Sequence, residues 1–421
     1  MIRMQKNITT SFPWLQTGIK NLALPALTII LAVVASPVFA QDSTARRPTA
    51  TYPTAESATT SPITPAPIPP TPAPDTVAPV THTHHGPIFP VRIAGNLLFP
   101  AISDAPETSI ALGITGMRLF HADSATRLSR IGATALYTLD KQYTIQGNLL
   151  IYTPHNQYLL KGSMDYSKFP EYYYGIGDKT QSRNKSLLSY QDYKGDLAIM
   201  KRLVPHTYLG IKAAYSDYYN VAPESGYPPL PDTLTGKDGG TTTGVGITAI
   251  FDNRDHPISA HTGWYAELSF MSSEKFLGSD FQFTSFDADL RKFIPLSSNS
   301  VLAFQAIGSI KSGQVPFLQL SCLGGDDMMR GVYTGRYRDK DLVAAQVEFR
   351  KMIYRRWGFV VFAAGGKVGS DLKTLNNDQL QDSYGIGLRR MMSKNDRVSL
   401  RMDVGVADGQ ANLYVSIGEA F

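Results

Sequence analysis

The sequence predicts an all-β fold: a transmembrane antiparallel β-barrel of about 16 strands with one long loop folded inward. Three observations carry this: an export-type N-terminus, period-two alternation over runs of about ten residues, and connections that are long at one end and short at the other.

The N-terminus comes first. Arg3, Lys6 and Lys20 precede the apolar run Leu22–Val34, and Val38-Phe39-Ala40 closes it on a small residue. This is the layout of a secretory signal peptide, and 1–40 is assigned to one. The run is too short for a membrane helix and is broken by Pro25. No cysteine follows Ala40, so a lipoprotein is not expected, and no later apolar stretch is long enough to predict a membrane helix.

Residues 41–86 are rich in Pro, Thr, Ala and Ser, as in SPITPAPIPPTPAP. Such a segment buries too little apolar surface to offset its ordering entropy, and it is expected to be a disordered linker. His82, His84 and His85 within it read as polar filler, and no metal site is predicted. The barrel is expected at 87–421.

Composition agrees with strands and tight turns. Tyr (22) and Phe (19) far outnumber Trp (3), and Gly (35) is plentiful. The net charge of +5 is mild and sits partly in segments outside the core, with no basic cluster of the kind nucleic acid requires. Cys322 is the single cysteine, which excludes an intrachain disulfide.

The body alternates. In Arg397–Val406, Val398, Leu400, Met402, Val404 and Val406 interleave with Arg397, Ser399, Arg401, Asp403 and Gly405. In Leu342–Arg350, Val343, Ala345, Val347 and Phe349 interleave with Gln346, Glu348 and Arg350. Trp264–Phe270 and Ser285–Arg291 follow the same rule. The alternation alone suits a soluble sandwich equally well. The export signal, the run lengths and a terminal strand ending on aromatic Phe421 favour the membrane barrel.

Strand-like runs fall near 89–99, 108–121, 128–139, 142–153, 157–168, 187–202, 206–220, 241–252, 262–273, 281–294, 298–311, 339–352, 358–368, 382–392, 396–406 and 411–421. The long connections 169–186, 220–240, 312–338 and 369–381 then share one end, as outer-membrane barrels require.

Connection 312–338 is distinctive. It holds Gly324, Gly325, Arg330, Gly331 and Tyr333, and GGDDMMRGVYTGRYRDKDLVAAQVEFR (Gly324–Arg350) resembles the loop-and-strand signature of the outer-membrane assembly-factor superfamily, the BamA/TamA-like bacterial surface antigen barrels. FDNRDHPISAHTGWYAELSF (Phe251–Phe270) resembles that family's periplasmic turn through Asp252, Arg254, Asp255 and Gly263, with Ala260 where proline is usual. PEYYYGIGDKT resembles its outer-loop run, and LYVSIGEAF resembles its C-terminal insertion signal ending in Phe421, with Glu419 unusual at its place.

The resemblance implies that the loop folds into the lumen and is latched by Arg330. The acid that usually anchors this arginine is replaced by Ala364 in FAAGGKV, so Glu348, Asp289 and Asp403 become the candidate partners. It also implies an outer-membrane location, contact with lipid, and insertion or translocation of proteins. Client outer-membrane proteins or a separate periplasmic partner are the expected partners, because the Pro/Thr-rich segment cannot form the POTRA domains that capture substrates in the family.

The alternative is a structural or passive transport barrel with the loop as plug. No enzyme, catalytic residue or cofactor is expected. His206, His256, His261 and Asp255 form no triad pattern, Asp252, Arg254 and Asp255 are turn-fixing types, and Asp326 and Asp327 read as solvated loop charge.

Overall fold

The computed structural model describes residues 83–84, 91–93, 96–105 and 108–421, except 377 and 395. The segment read as signal peptide and nearly all of the linker lie outside the described residues.

Sixteen long strands make up the described chain. They are β1 (Asn96–Ala105), β2 (Thr108–Phe120), β3 (Ser129–Thr138), β4 (Tyr143–Tyr152), β5 (Tyr158–Lys168), β6 (Ser186–Val204), β7 (Thr207–Pro223) and β8 (Gly240–Asp252). They continue as β9 (Gly263–Ser273), β10 (Phe283–Ser297), β11 (Ser300–Gly313), β12 (Asp341–Tyr354), β13 (Trp357–Gly369), β14 (Gln381–Ser393), β15 (Val398–Ala407) and β16 (Gln410–Ile417). Each pairs antiparallel with its sequence neighbours, giving one all-β meander.

Two ends differ from the sequence reading. The first strand runs over 96–105 and not 89–99. Val91–Ile93 instead pairs back onto Asn96–Leu98. The last strand stops at Ile417, where Gly418 at φ +96° turns the chain. Thr83–His84 forms a two-residue strand, parallel to β16 and antiparallel to β1.

Burial decides which face is inside. On β15, Arg401 and Asp403 are 1% and 0% exposed, whereas Met402 and Val404, which alternate with them, are 40% and 39% exposed. A soluble sandwich would bury the apolar set, so this inversion is that of a barrel with a polar lumen and a lipid-facing apolar wall. The outward apolar row continues through Ile114, Ile145, Ile199, Ile247, Val343 and Ile386.

Connections 169–185, 224–239, 314–340 and 370–380 lie at one end, and the opposite end carries shorter turns. Connection 314–340 enters the lumen. Its Leu323, Met328, Met329, Val332 and Tyr337 pack on Leu342 and Ala344 of β12, Val368 of β13 and Ala407 of β15. Part of the lumen is therefore an apolar core made by loop and wall together.

Candidate functional site

The inward loop is built as a hairpin on a stalk. Ser321–Leu323 pairs antiparallel with Tyr337–Asp339, and Gly325 N–H to Val332 O (3.2 Å) and Gly335 N–H to Leu323 O (3.1 Å) shape the tip. Gly324 and Gly325 both hold positive φ. Gly331, at φ +111°, lies against the β15 backbone so closely that an added Cβ would sit 2.8 Å from Val406. Only glycine fits that contact.

Arg330 is fully buried at the tip and pairs with two carboxylates, Glu348 of β12 and Asp403 of β15. Its guanidinium also lies 3.6 Å from the ring centroid of Phe362 on β13, the strand that carries Ala364. The missing acid is thus replaced by acids on two other strands and an aromatic face. Asp289 is not a partner: Arg291, two residues along the same face, takes its carboxylate at 3.0 and 3.1 Å, and Gln305 adds a bond at 3.0 Å.

The tip also grips the last strand. Tyr414 Oη accepts the Gly331 N–H at 2.9 Å, and Asn412 Nδ2 donates to Gly331 O at 2.6 Å. One four-residue tip therefore contacts β12, β13, β15 and β16. Outer connection 169–185 braces the stalk. Gly177 N–H donates to Arg338 O (2.8 Å), buried Arg338 pairs with Glu171, and Arg336 Nη2 donates to Thr180 O (2.7 Å). Tyr333 Oη accepts the Tyr172 N–H at 3.1 Å.

The β8–β9 turn forms a second constellation. Asp252 is 1% exposed and takes Arg254 Nε at 2.9 Å and Nη2 at 3.0 Å, with Arg127 Nη2 at 3.1 Å. Gly263, at φ +107°, passes so near Asn253 that a Cβ would lie 2.6 Å from its carbonyl oxygen. Asp255 accepts the His261 N–H (2.8 Å) and Thr262 N–H (3.1 Å) and pairs with Arg397 at 2.6 Å. Partial burial would raise the Asp255 carboxyl, but the Arg397 bond and the two amides hold it below its usual range. Burial, with Arg397 nearby, lowers His256 to about 4.

A family model described as the Omp85 superfamily domain matches residues 129–421. The chain belongs to the Omp85 superfamily. Among solved structures it is similar to a BamA from Haemophilus ducreyi lacking POTRA domains 1–3 (14% identity, TM-score 0.49), over 77% of this chain and 68% of that one. It is also similar to CdiB from Escherichia coli (12% identity, TM-score 0.49), over 81% and 67% respectively. No curated protein matches the sequence.

In this Omp85 barrel the remaining sequence candidates fall into place. Asp326 and Asp327 are 48% and 72% exposed, in keeping with loop charge that meets solvent, and they also stand 3.3 and 3.4 Å from the buried Arg401, which the adjacent-carboxylate pattern did not reveal. His206 sits in the β6–β7 turn, where its carbonyl accepts the Asp252 N–H at 2.9 Å. His256 accepts the Ile258 and Ser259 amides, and His261 lies 3.3 Å from Arg397. Phe421 is buried among Ala260, Phe293, Val301 and Ala303. Sequence reasoning missed Tyr414, Asn412 and Arg389, whose only signal was their place on a lumenal period. Among the described residues a cavity of about 620 Å³ is bordered by the charged side chains Asp165, Lys194, Asp196, Lys212 and Asp287.

Proposed function

We propose that this chain is an outer-membrane barrel of Gram-negative type that inserts or translocates polypeptides, and that loop 312–338 is its latch. The observation that carries the reading is the reach of one tip: Arg330 is bound to β12 and β15 while Gly331 is bound to β16. A loop so placed holds the terminal strand in register, and its withdrawal frees that strand to pair with an incoming one. Clients would be other outer-membrane proteins, delivered by a periplasmic partner. The reading assigns no catalytic step and no cofactor.

The test is reconstitution. The purified full chain in liposomes is expected to accelerate folding of a second outer-membrane protein, with or without periplasmic extract. No acceleration under either condition sinks the reading.

That cavity supports a second reading, a passive pore plugged by the loop. Deleting 324–338 would then produce conducting channels in planar bilayers without any effect on client folding. Unchanged conductance would count against a lumenal latch and a plug alike.

A further inference from the structure

Beyond Ile417 the chain leaves the sheet. Gly418 N–H still bonds Ser399 O of β15 at 2.8 Å, and its φ of +96° then turns the next three residues inward. Phe421 reaches the lumenal side chain Phe293 of β10, ring centroids 6.2 Å apart, and buries with Val301 and Ala303 of β11. Gly418–Phe421 thus runs from the terminal strand to strands five and six places away in the sheet, at the end of the lumen that carries the short turns.

Glu419 lies in the middle of this segment. Its carboxylate accepts Arg389 Nε of β14 at 2.8 Å and stands 3.9 Å from Arg350 Nε of β12, while Arg350 Nη2 donates to the Phe421 carbonyl at 3.0 Å. Both arginines also touch the acids of the loop tip. Arg350 Nε bonds Glu348 at 2.7 Å, and Arg389 pairs with Asp403. Arg330 joins Glu348 to Asp403 and completes a ring of alternating charge: Arg330, Glu348, Arg350, Glu419, Arg389, Asp403.

All six side chains are at most 9% exposed, so bulk water has little access to replace a lost partner. Within the ring each acid serves two guanidiniums and each guanidinium two acids, and Arg401 stands outside it, 3.8 Å from Asp403. Withdrawing any one member takes a countercharge from both its neighbours, and at Asp403 Arg401 makes up only part of that loss. A local change at the tip is therefore felt at Glu419 through two parallel routes, one on β12 and one from β15 to β14.

We propose that Gly418–Phe421 is a strap across the lumen, and that Glu419 is the positioning residue that makes release of this strap depend on release of the loop tip. This rests on the loop acting as a latch.

The experiment uses the full chain in liposomes with Cys322→Ala, so that Ala420→Cys supplies a single thiol within the strap. N-ethylmaleimide, which crosses the bilayer, reports its exposure. We expect slow labelling in this background and a rise of about tenfold or more when Glu419→Gln is added. Arg330→Ala at the far side of the ring is expected to raise labelling to a similar extent, and the two substitutions together to add little more. Should Arg330→Ala not fold, Arg330→Lys keeps one charge while breaking the two-way pairing and carries the same test. Fast labelling before either substitution overturns the strap. Labelling that rises with Glu419→Gln but ignores both Arg330 variants, or effects that simply multiply, overturns the coupling and leaves the latch standing. The latch itself fails separately, through unchanged conductance on deleting 324–338.

Discussion

Gly331 and Gly405 meet backbone to backbone. A Cβ on Gly405 would lie 2.4 Å from the carbonyl oxygen of Arg330, and one on Gly331 would lie 2.9 Å from the carbonyl carbon of Gly405. Loop tip and barrel wall are thereby brought close enough for Arg330 to reach acids on two strands.

Alanine at either glycine should therefore lift the tip. Gly331→Ala adds a left-handed backbone penalty of about 1–3 kcal/mol to the collision. Gly409→Ala is the control: its φ is also positive, at +74°, but no atom lies within 4 Å of the added Cβ. Urea unfolding in detergent should rank Gly331→Ala and Gly405→Ala well below Gly409→Ala. Equal midpoints would show that the close approach does not matter.

Arg330 tests the ion pairs. Its removal leaves Glu348 buried with Arg350, and Asp403 buried with Arg389 and, at 3.8 Å, Arg401. Breaking a buried pair costs about 3–5 kcal/mol, and the surviving partners place Arg330→Ala near the lower end. Arg330→Lys should recover only part of the loss, because an ammonium cannot bridge two carboxylates and stack on Phe362 together. Unfolding midpoints check the order; a lysine variant equal to wild type would contradict it.

The β8–β9 turn predicts a pH dependence. His256 is held neutral with a pKa of about 4, below the ordinary value near 6.5. The unfolded chain therefore binds a proton more readily, and this contribution to stability is complete above about pH 6.5 and is lost as pH falls toward 4. Asp255 is also depressed, so its contribution is present above its usual carboxylate value and is lost on further acidification. Amide protection across 253–262, taken relative to the intrinsic exchange rate at each pH, should fall from pH 7 to pH 4, and His256→Gln should flatten the upper part of that change. A flat profile in the wild type would refute the assignment.

Much of this was legible in the residues themselves. Alternation along Arg397–Val406 sorts side chains onto two faces whatever surrounds them, because strand geometry has a period of two. The glycines around Gly331 pointed to a loop that folds back closely, and the resemblance of Phe251–Phe270 to a family turn pointed to Asp252, Arg254 and Gly263. Strand number and the side of the long connections follow from the same local rules.

What only the tertiary structure decided is which residues meet across the lumen. Asp289 and Asp403 had equal claims on Arg330 by face. Arg291, two residues along the same strand, takes Asp289, and the path of the loop gives Asp403 to the tip. Glu419 read as an oddity in a terminal strand, yet the strand ends before it and the segment turns into the charge ring. Such contacts depend on strand stagger and on where a long loop folds back. Those are relations between segments distant in sequence, and no local pattern encodes them.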